Sequence, residues 1–117
     1  MKLEELKAAA RTVLQNKMGG LYERGVQECL VMDDERGHYQ LLGVGWTESD
    51  SRRAFDVYVH LDVLEGMIWV QVDNTEPGIA NELVELGIPK DKIVLGFQAP
   101  YKRKFTGFAT GDTAVPE

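Results

Sequence analysis

The stretch from Phe55 to Leu86 constrains the fold most, because it holds two alternating runs followed by a helical pattern. The runs flank Glu65-Gly66, and a two-residue turn there gives a β-hairpin. The predicted pairs are Leu64 with Met67, Val63 with Ile68, Asp62 with Trp69, Leu61 with Val70, His60 with Gln71, and Val59 with Val72. A slip of one residue would mix apolar and polar side chains on each face, so the pattern itself sets the register.

In this register the two faces of the hairpin differ sharply. The apolar face consists of Val57, Val59, Leu61, Val63, Ile68, Val70 and Val72. The polar face carries Asp56, Tyr58, His60, Asp62, Trp69, Gln71 and Asp73. The first face is predicted to meet the core, and the second is free for another role.

The flanking segments predict further elements. An amphipathic helix ending at Gly19-Gly20 precedes the hairpin; its apolar stripe is Leu3, Leu6, Ala10, Val13, Leu14 and Met18. A single stripe is what docking on a sheet requires, so we favour docking over partner binding. Strands are predicted over Gly25 to Asp33 and His38 to Trp46. After the hairpin, Thr75 or Glu76 is expected to cap a helix that has Pro77 in its first turn.

These elements predict an α+β fold. It comprises an N-terminal helix, a four-stranded antiparallel meander, then a helix and a short C-terminal α/β segment. We expect one domain over residues 1–111, with helices covering one face of the sheet, and a flexible tail over 112–117. Phe105 and Phe108 are expected to anchor the C-terminal segment.

Bulk properties exclude several classes of function. The formal net charge is −6, which disfavours a stand-alone DNA-binding protein because phosphate contact needs a concentrated basic surface. The single cysteine, Cys29, rules out an internal disulfide, and a reducing, cytoplasmic setting is expected. No apolar run reaches the length of a membrane span, so no membrane association is expected.

Catalytic and metal-binding patterns are weak in this sequence. The two histidines, His38 and His60, lie on different predicted strands, and no cysteine pair accompanies them, so we expect no metal and no cofactor. His60 and Asp62 share one face of a strand and form only a weak acid/base hypothesis. Cys29 is interpreted as inert core. We therefore expect no catalytic residues and a protein that is not an enzyme.

The polar face admits three interpretations. It lines a ligand groove, forms an interface, or lies half-exposed under the C-terminal segment. We favour an interface through four side chains, because Trp and Tyr are enriched at such surfaces. They are Tyr58, His60, Trp69 and Gln71. The basic cluster of Lys102, Arg103 and Lys104 carries three charges, too few to argue nucleic-acid binding.

Three segments resemble the XisI family, the fdxN-element excision controlling factors. They are HYQLLGVGW (38–46), VHLDVLEGMIWVQVDNTEPGIANELVELGIPK (59–90) and IVLGFQAPYKRKFTGFA (93–109). With the N-terminal helix and RGVQECLVMDDERGHYQ, the resemblance covers nearly the whole chain. Two departures stand out. The hairpin turn has Glu65-Gly66 where Asp-Gly flanked by lysines is more typical, and Cys29 replaces a polar or β-branched residue.

The resemblance implies a role in programmed excision of a DNA element in cyanobacteria. A separate recombinase does the chemistry there, and XisI works with a companion, XisH, that resembles nuclease-fold proteins. No catalytic residues carry over. We therefore expect a regulatory factor that binds an XisH-like protein and meets DNA only indirectly; a homodimer is compatible with this role. The alternatives are a DNA-binding accessory protein using Lys102, Arg103 and Lys104, or an orphan ligand-binding or enzymatic domain centred on His60 and Asp62.

Overall fold

The computed structural model describes residues 1–112. Its elements are α1 (Leu3–Lys17), β1 (Val26–Asp33), β2 (His38–Trp46), β3 (Arg53–Leu64), β4 (Met67–Asp73), α2 (Ile79–Glu85) and β5 (Ile93–Leu95), with 3-10 turns at Lys90–Lys92 and Pro100–Phe105. No helix in this range is long and apolar enough to cross a membrane. Of the predicted tail over 112–117, residues 113–117 lie outside the described residues.

The α+β fold is confirmed, but the sheet has five strands rather than four. The strand order is β1-β2-β3-β4-β5, with antiparallel pairs between the first four strands. β5 joins as a parallel neighbour of β4, with Ile93 beside Ile68. A run of three extended residues does not reveal its partner, because parallel pairing depends on how the intervening helix returns the chain.

The core lies between one face of the sheet and both helices. Its fully buried side chains are Leu6, Ala10, Val13, Leu14, Tyr39, Leu41, Val59, Leu61, Ile68, Val70, Ile79, Leu83 and Ile93. The predicted docking of α1 on the sheet is confirmed for the central residues of its apolar stripe. Leu3 and Met18, at the two ends, remain exposed. We call the helix-covered face of the sheet the inner face and the opposite one the outer face.

The hairpin turn is confirmed, and its register holds for four pairs. Glu65 and Gly66 both have positive φ, 55° and 73°, as a tight two-residue turn requires. Beyond the pair of Leu61 with Val70 a bulge intervenes, so the two remaining predicted pairs are wrong. His60 pairs with Val72 and Val59 with Asp73. Gln71 is the extra residue, and an extra residue leaves no mark in a polar/apolar alternation.

A second bulge places Tyr58 and Val57 on different faces of the sheet from those predicted. Leu41 pairs with Val59 and Leu42 with Val57, so Tyr58 is extra on β3. Tyr58 packs against the core instead of sharing a face with Trp69. Its ring meets Tyr22 edge-on at 5.5 Å between centroids. Val57, predicted to face the core, pairs with Leu42 on the outer face.

The start of α2 also differs from the prediction. The capping position before its first turn is held by Gly78, which has no side chain, so neither Thr75 nor Glu76 caps the helix as predicted. Asp73 stabilises this corner instead. Its Oδ2 accepts the Ile79 backbone N–H at 2.8 Å, and its Oδ1 accepts the Thr75 N–H at 2.9 Å.

We expect Asp73→Ala to lower the free energy of unfolding by about 1–2 kcal/mol, since two backbone N–H groups lose a charged acceptor. Urea unfolding followed by circular dichroism measures this. Asp73→Asn keeps one acceptor oxygen and should lose less. Equal unfolding midpoints for Asp73→Ala and the unmodified chain would show that this carboxylate does not stabilise the corner.

Candidate functional site

The outer face has a polar half and an apolar half, both set by strand register. At one end, β2, β3 and β4 contribute the polar set: His38, Gln40, His60, Asp62, Trp69 and Gln71. At the other end, the pairs of Cys29 with Leu42, Leu42 with Val57 and Val44 with Phe55 align apolar side chains. Cys29 is thus half-buried on the outer face rather than in the core.

Both histidines of the chain converge on one carboxylate. His38 lies directly across from Asp62 in the β2–β3 ladder. His38 Nδ1 and His60 Nε2 each lie 2.7 Å from Asp62 Oδ1. Gln71 Nε2 donates to the other oxygen, Oδ2, at 3.2 Å. The two histidines lie on different strands, as predicted, but those strands are neighbours, so their side chains meet at one carboxylate.

The cluster is electrostatically biased towards a charged carboxylate. Burial alone would raise the pKa of Asp62, but hydrogen bonds from His38 and His60 outweigh burial and lower that pKa below its ordinary value. The Asp62 and His60 side chains are 19% and 21% exposed, whereas His38 is 54% exposed. The site is therefore firmly held on one side and open to solvent on the other.

Trp69 shares the outer face with His60 and Gln71, but the chain folds over it. We call residues 96–111 the C-terminal segment. The Arg103 guanidinium lies 5.3 Å from the Trp69 ring centroid and donates to the carbonyls of Gln98 and Gly96. Gly111 presses on the ring, since a Cβ there would lie 2.5 Å from Cη2. The third sequence interpretation, an indole under the C-terminal segment, is confirmed for Trp69.

The predicted basic cluster does not form one cationic surface. Arg103 is committed to Trp69 and two carbonyls, while Lys102 lies over Tyr101 and Lys104 over Phe105. Of the two residues predicted to anchor the C-terminal segment, only Phe108 does so. Phe108 packs against the core, whereas Phe105 is 77% exposed.

Sequence reasoning missed the exposed aromatic end of the outer face. Phe55 and Trp46 are 67% and 58% exposed. The Arg53 guanidinium lies 5.7 Å from the Trp46 ring centroid. Side-chain alternation along β2 already places Trp46 on the same face as Leu42 and Val44. The face of Phe55, by contrast, is known only once the bulge in β3 is known.

Comparison with known proteins decides the family. The model of the XisI protein family matches residues 1–110. The chain belongs to the XisI family.

Solved structures of XisI proteins share this fold. An XisI-like protein from Anabaena variabilis ATCC 29413 is 37% identical, with a TM-score of 0.84 over 92% of this chain and 98% of its own. The fdxN element excision controlling factor XisI from the same organism is 29% identical, with a TM-score of 0.80 over 95% of this chain and 100% of its own. No curated protein matches the chain. The family resemblance read from the sequence is thus confirmed.

Proposed function

We propose that this XisI-family protein is a non-enzymatic, cytoplasmic excision-controlling factor that acts by binding an XisH-like, nuclease-fold protein. Membership of the XisI family supports the controlling role, as does the similar structure named as an fdxN element excision controlling factor. In this role the partner meets DNA and the XisI-family chain does not.

The exposed apolar half of the outer face is the observation that carries partner binding. Trp46 and Phe55 are both more than half exposed, and they lie at the same end of the outer face as the apolar pairs of Leu42 with Val57 and Val44 with Phe55. Contiguous exposed apolar surface on a soluble domain marks an interaction site, and aromatic side chains dominate the energetics of such sites. We name Trp46 and Phe55 the aromatic end.

The aromatic end replaces the predicted interface of Tyr58, His60, Trp69 and Gln71 as the first surface to test. Tyr58 packs on the core and Trp69 is covered by the C-terminal segment, so neither offers a free ring to a partner. The net charge of −6 favours a partner with a basic surface, because complementary charge speeds encounter and selects partners.

We expect Phe55→Ala and Trp46→Ala each to weaken the complex with an XisH-like protein by at least about tenfold, since each removes an aromatic anchor. Light scattering on the chain alone and mixed with the partner gives the assembly, and titration calorimetry gives the affinity. Both side chains are mostly exposed, so circular dichroism spectra should not change.

Phe105→Ala is the matched control, because Phe105 is as exposed as the other two aromatics but lies on the C-terminal segment. It should bind like the unmodified chain. Separate species in the mixture would contradict partner binding. A complex that Phe105→Ala weakens as much as Phe55→Ala would place the interface elsewhere. A mass of two chains in the unmixed sample, lost in Phe55→Ala, would instead assign the aromatic end to a homodimer.

A further inference from the structure

We propose that His38, His60 and Asp62 bind one divalent transition-metal ion of the zinc class. The inference is independent of the proposed partner binding, since these residues lie at the polar half of the outer face and the aromatic end lies at the other. It also departs from the sequence expectation that no metal binds.

The ligand atoms are already assembled. One nitrogen from each histidine and one carboxylate oxygen all lie within 4.8 Å of one another. Around a tetrahedral zinc ion, ligand atoms are separated by about 3.4 Å, given metal–ligand bonds of about 2.1 Å. The two nitrogens now lie 2.7 Å from Asp62 Oδ1, so an ion enters with side-chain shifts of about 1 Å.

The donor set selects the class of ion. Imidazole nitrogen suits zinc, cobalt, nickel and copper, whereas magnesium and calcium prefer oxygen ligands throughout. Three protein ligands leave the remaining coordination positions to water. On binding, each histidine gives up its N–H···O contact with Asp62, and its proton moves to the other ring nitrogen or to solvent.

The surroundings hold the ligands in place. Gln71 donates to Asp62 Oδ2 and so leaves Oδ1 directed at the two imidazoles. Outer-shell hydrogen bonds of this kind orient ligating carboxylates and raise metal affinity. Gln71 reaches Asp62 from the bulge position of β4. His60 and Asp62 are largely buried, while the exposed His38 borders solvent and gives the ion a route in.

The test uses the full chain without an affinity tag, stripped with a chelator. Zn²⁺ is titrated by calorimetry, and Co²⁺ is followed by its visible absorption. Because the chain has two histidines and both lie in the site, histidine ring NMR signals report on it directly. We expect one ion per chain, a shift of both sets of ring signals, and a thermal unfolding midpoint that rises with Zn²⁺.

The variants separate ligands from supporting residues. His38→Ala and Asp62→Asn should each weaken Zn²⁺ binding by more than about 100-fold, and Gln71→Ala by roughly 10- to 100-fold. Cys29→Ser, which removes the one thiol, should bind normally. His38 is half exposed, so His38→Ala stays folded and decides the matter if Asp62→Asn does not fold. A folded chain that binds no Zn²⁺ at millimolar concentration, or binding that persists in His38→Ala with His60→Ala, would overturn the proposal.

Discussion

Trp69→Ala is expected to lower the free energy of unfolding by about 2–4 kcal/mol and to free the C-terminal segment. Complete truncation of a buried tryptophan costs about 3–5 kcal/mol, and Trp69 is only partly buried. Its ring supports both Arg103 and Gly111, so removing it leaves a hole beneath that segment. Urea unfolding gives the loss of stability, and hydrogen exchange over residues 96–111 shows the segment opening.

Trp69→Phe is the matched control. Among residues 1–112 the indole N–H has no hydrogen-bond partner, so the smaller ring loses packing area but no bond. We expect it to retain most of the stability and the slow exchange. Unchanged exchange over 96–111 in Trp69→Ala would mean that Trp69 does not hold the segment, and would return Trp69 to the list of interface residues.

The second large effect concerns Tyr39, the largest fully buried side chain. We expect Tyr39→Ala to lower the free energy of unfolding by about 3–5 kcal/mol through the cavity it leaves. Tyr39 Oη also donates to Asp34 Oδ1 at 2.7 Å, and Arg11 of α1 donates to the same oxygen at 2.5 Å. The residue therefore joins the core to the contact between α1 and the β1–β2 turn.

Tyr39→Phe separates the ring from the hydroxyl and should cost about 1–2 kcal/mol. Hydrogen bonds from Tyr39 and Arg11 lower the pKa of Asp34 below its ordinary 3.8. A lowered carboxyl pKa adds stability above the ordinary pKa, and this is lost as pH falls through the folded value. The gap between Tyr39→Phe and the unmodified chain should thus shrink below about pH 4. A gap independent of pH would exclude Asp34 as the hydroxyl's partner.

Local patterns predicted the elements of this fold well. The β2 strand has the predicted bounds, and the turn at Glu65-Gly66 is as expected, because side-chain alternation and turn chemistry are short-range properties. The two bulges could not be predicted from the sequence. Each depends on how a strand fits two neighbours at once. Together they moved Tyr58 and Val57 off their predicted faces and removed the predicted pairing of His60 with Gln71.

The candidate sites were predictable only in part. His60 and Asp62 were singled out as neighbours on one strand, but their convergence with His38 required the β2–β3 register. Trp69 was correctly placed on the face opposite the helices, yet its cover by Arg103 depends on a long-range return of the chain that no periodicity encodes. For Phe55 the difficulty is the opposite one. An apolar residue in a strand is assigned to the core unless its face is known, yet Phe55 is exposed.

The strand order has a consequence for the nascent chain. Neighbours from β1 to β4 are also consecutive in sequence, so each hairpin can close over a short connection once its second strand has left the ribosome. The His38, His60 and Asp62 cluster is complete by then. Trp69, by contrast, remains uncovered until Arg103 and Gly111 have also left the ribosome.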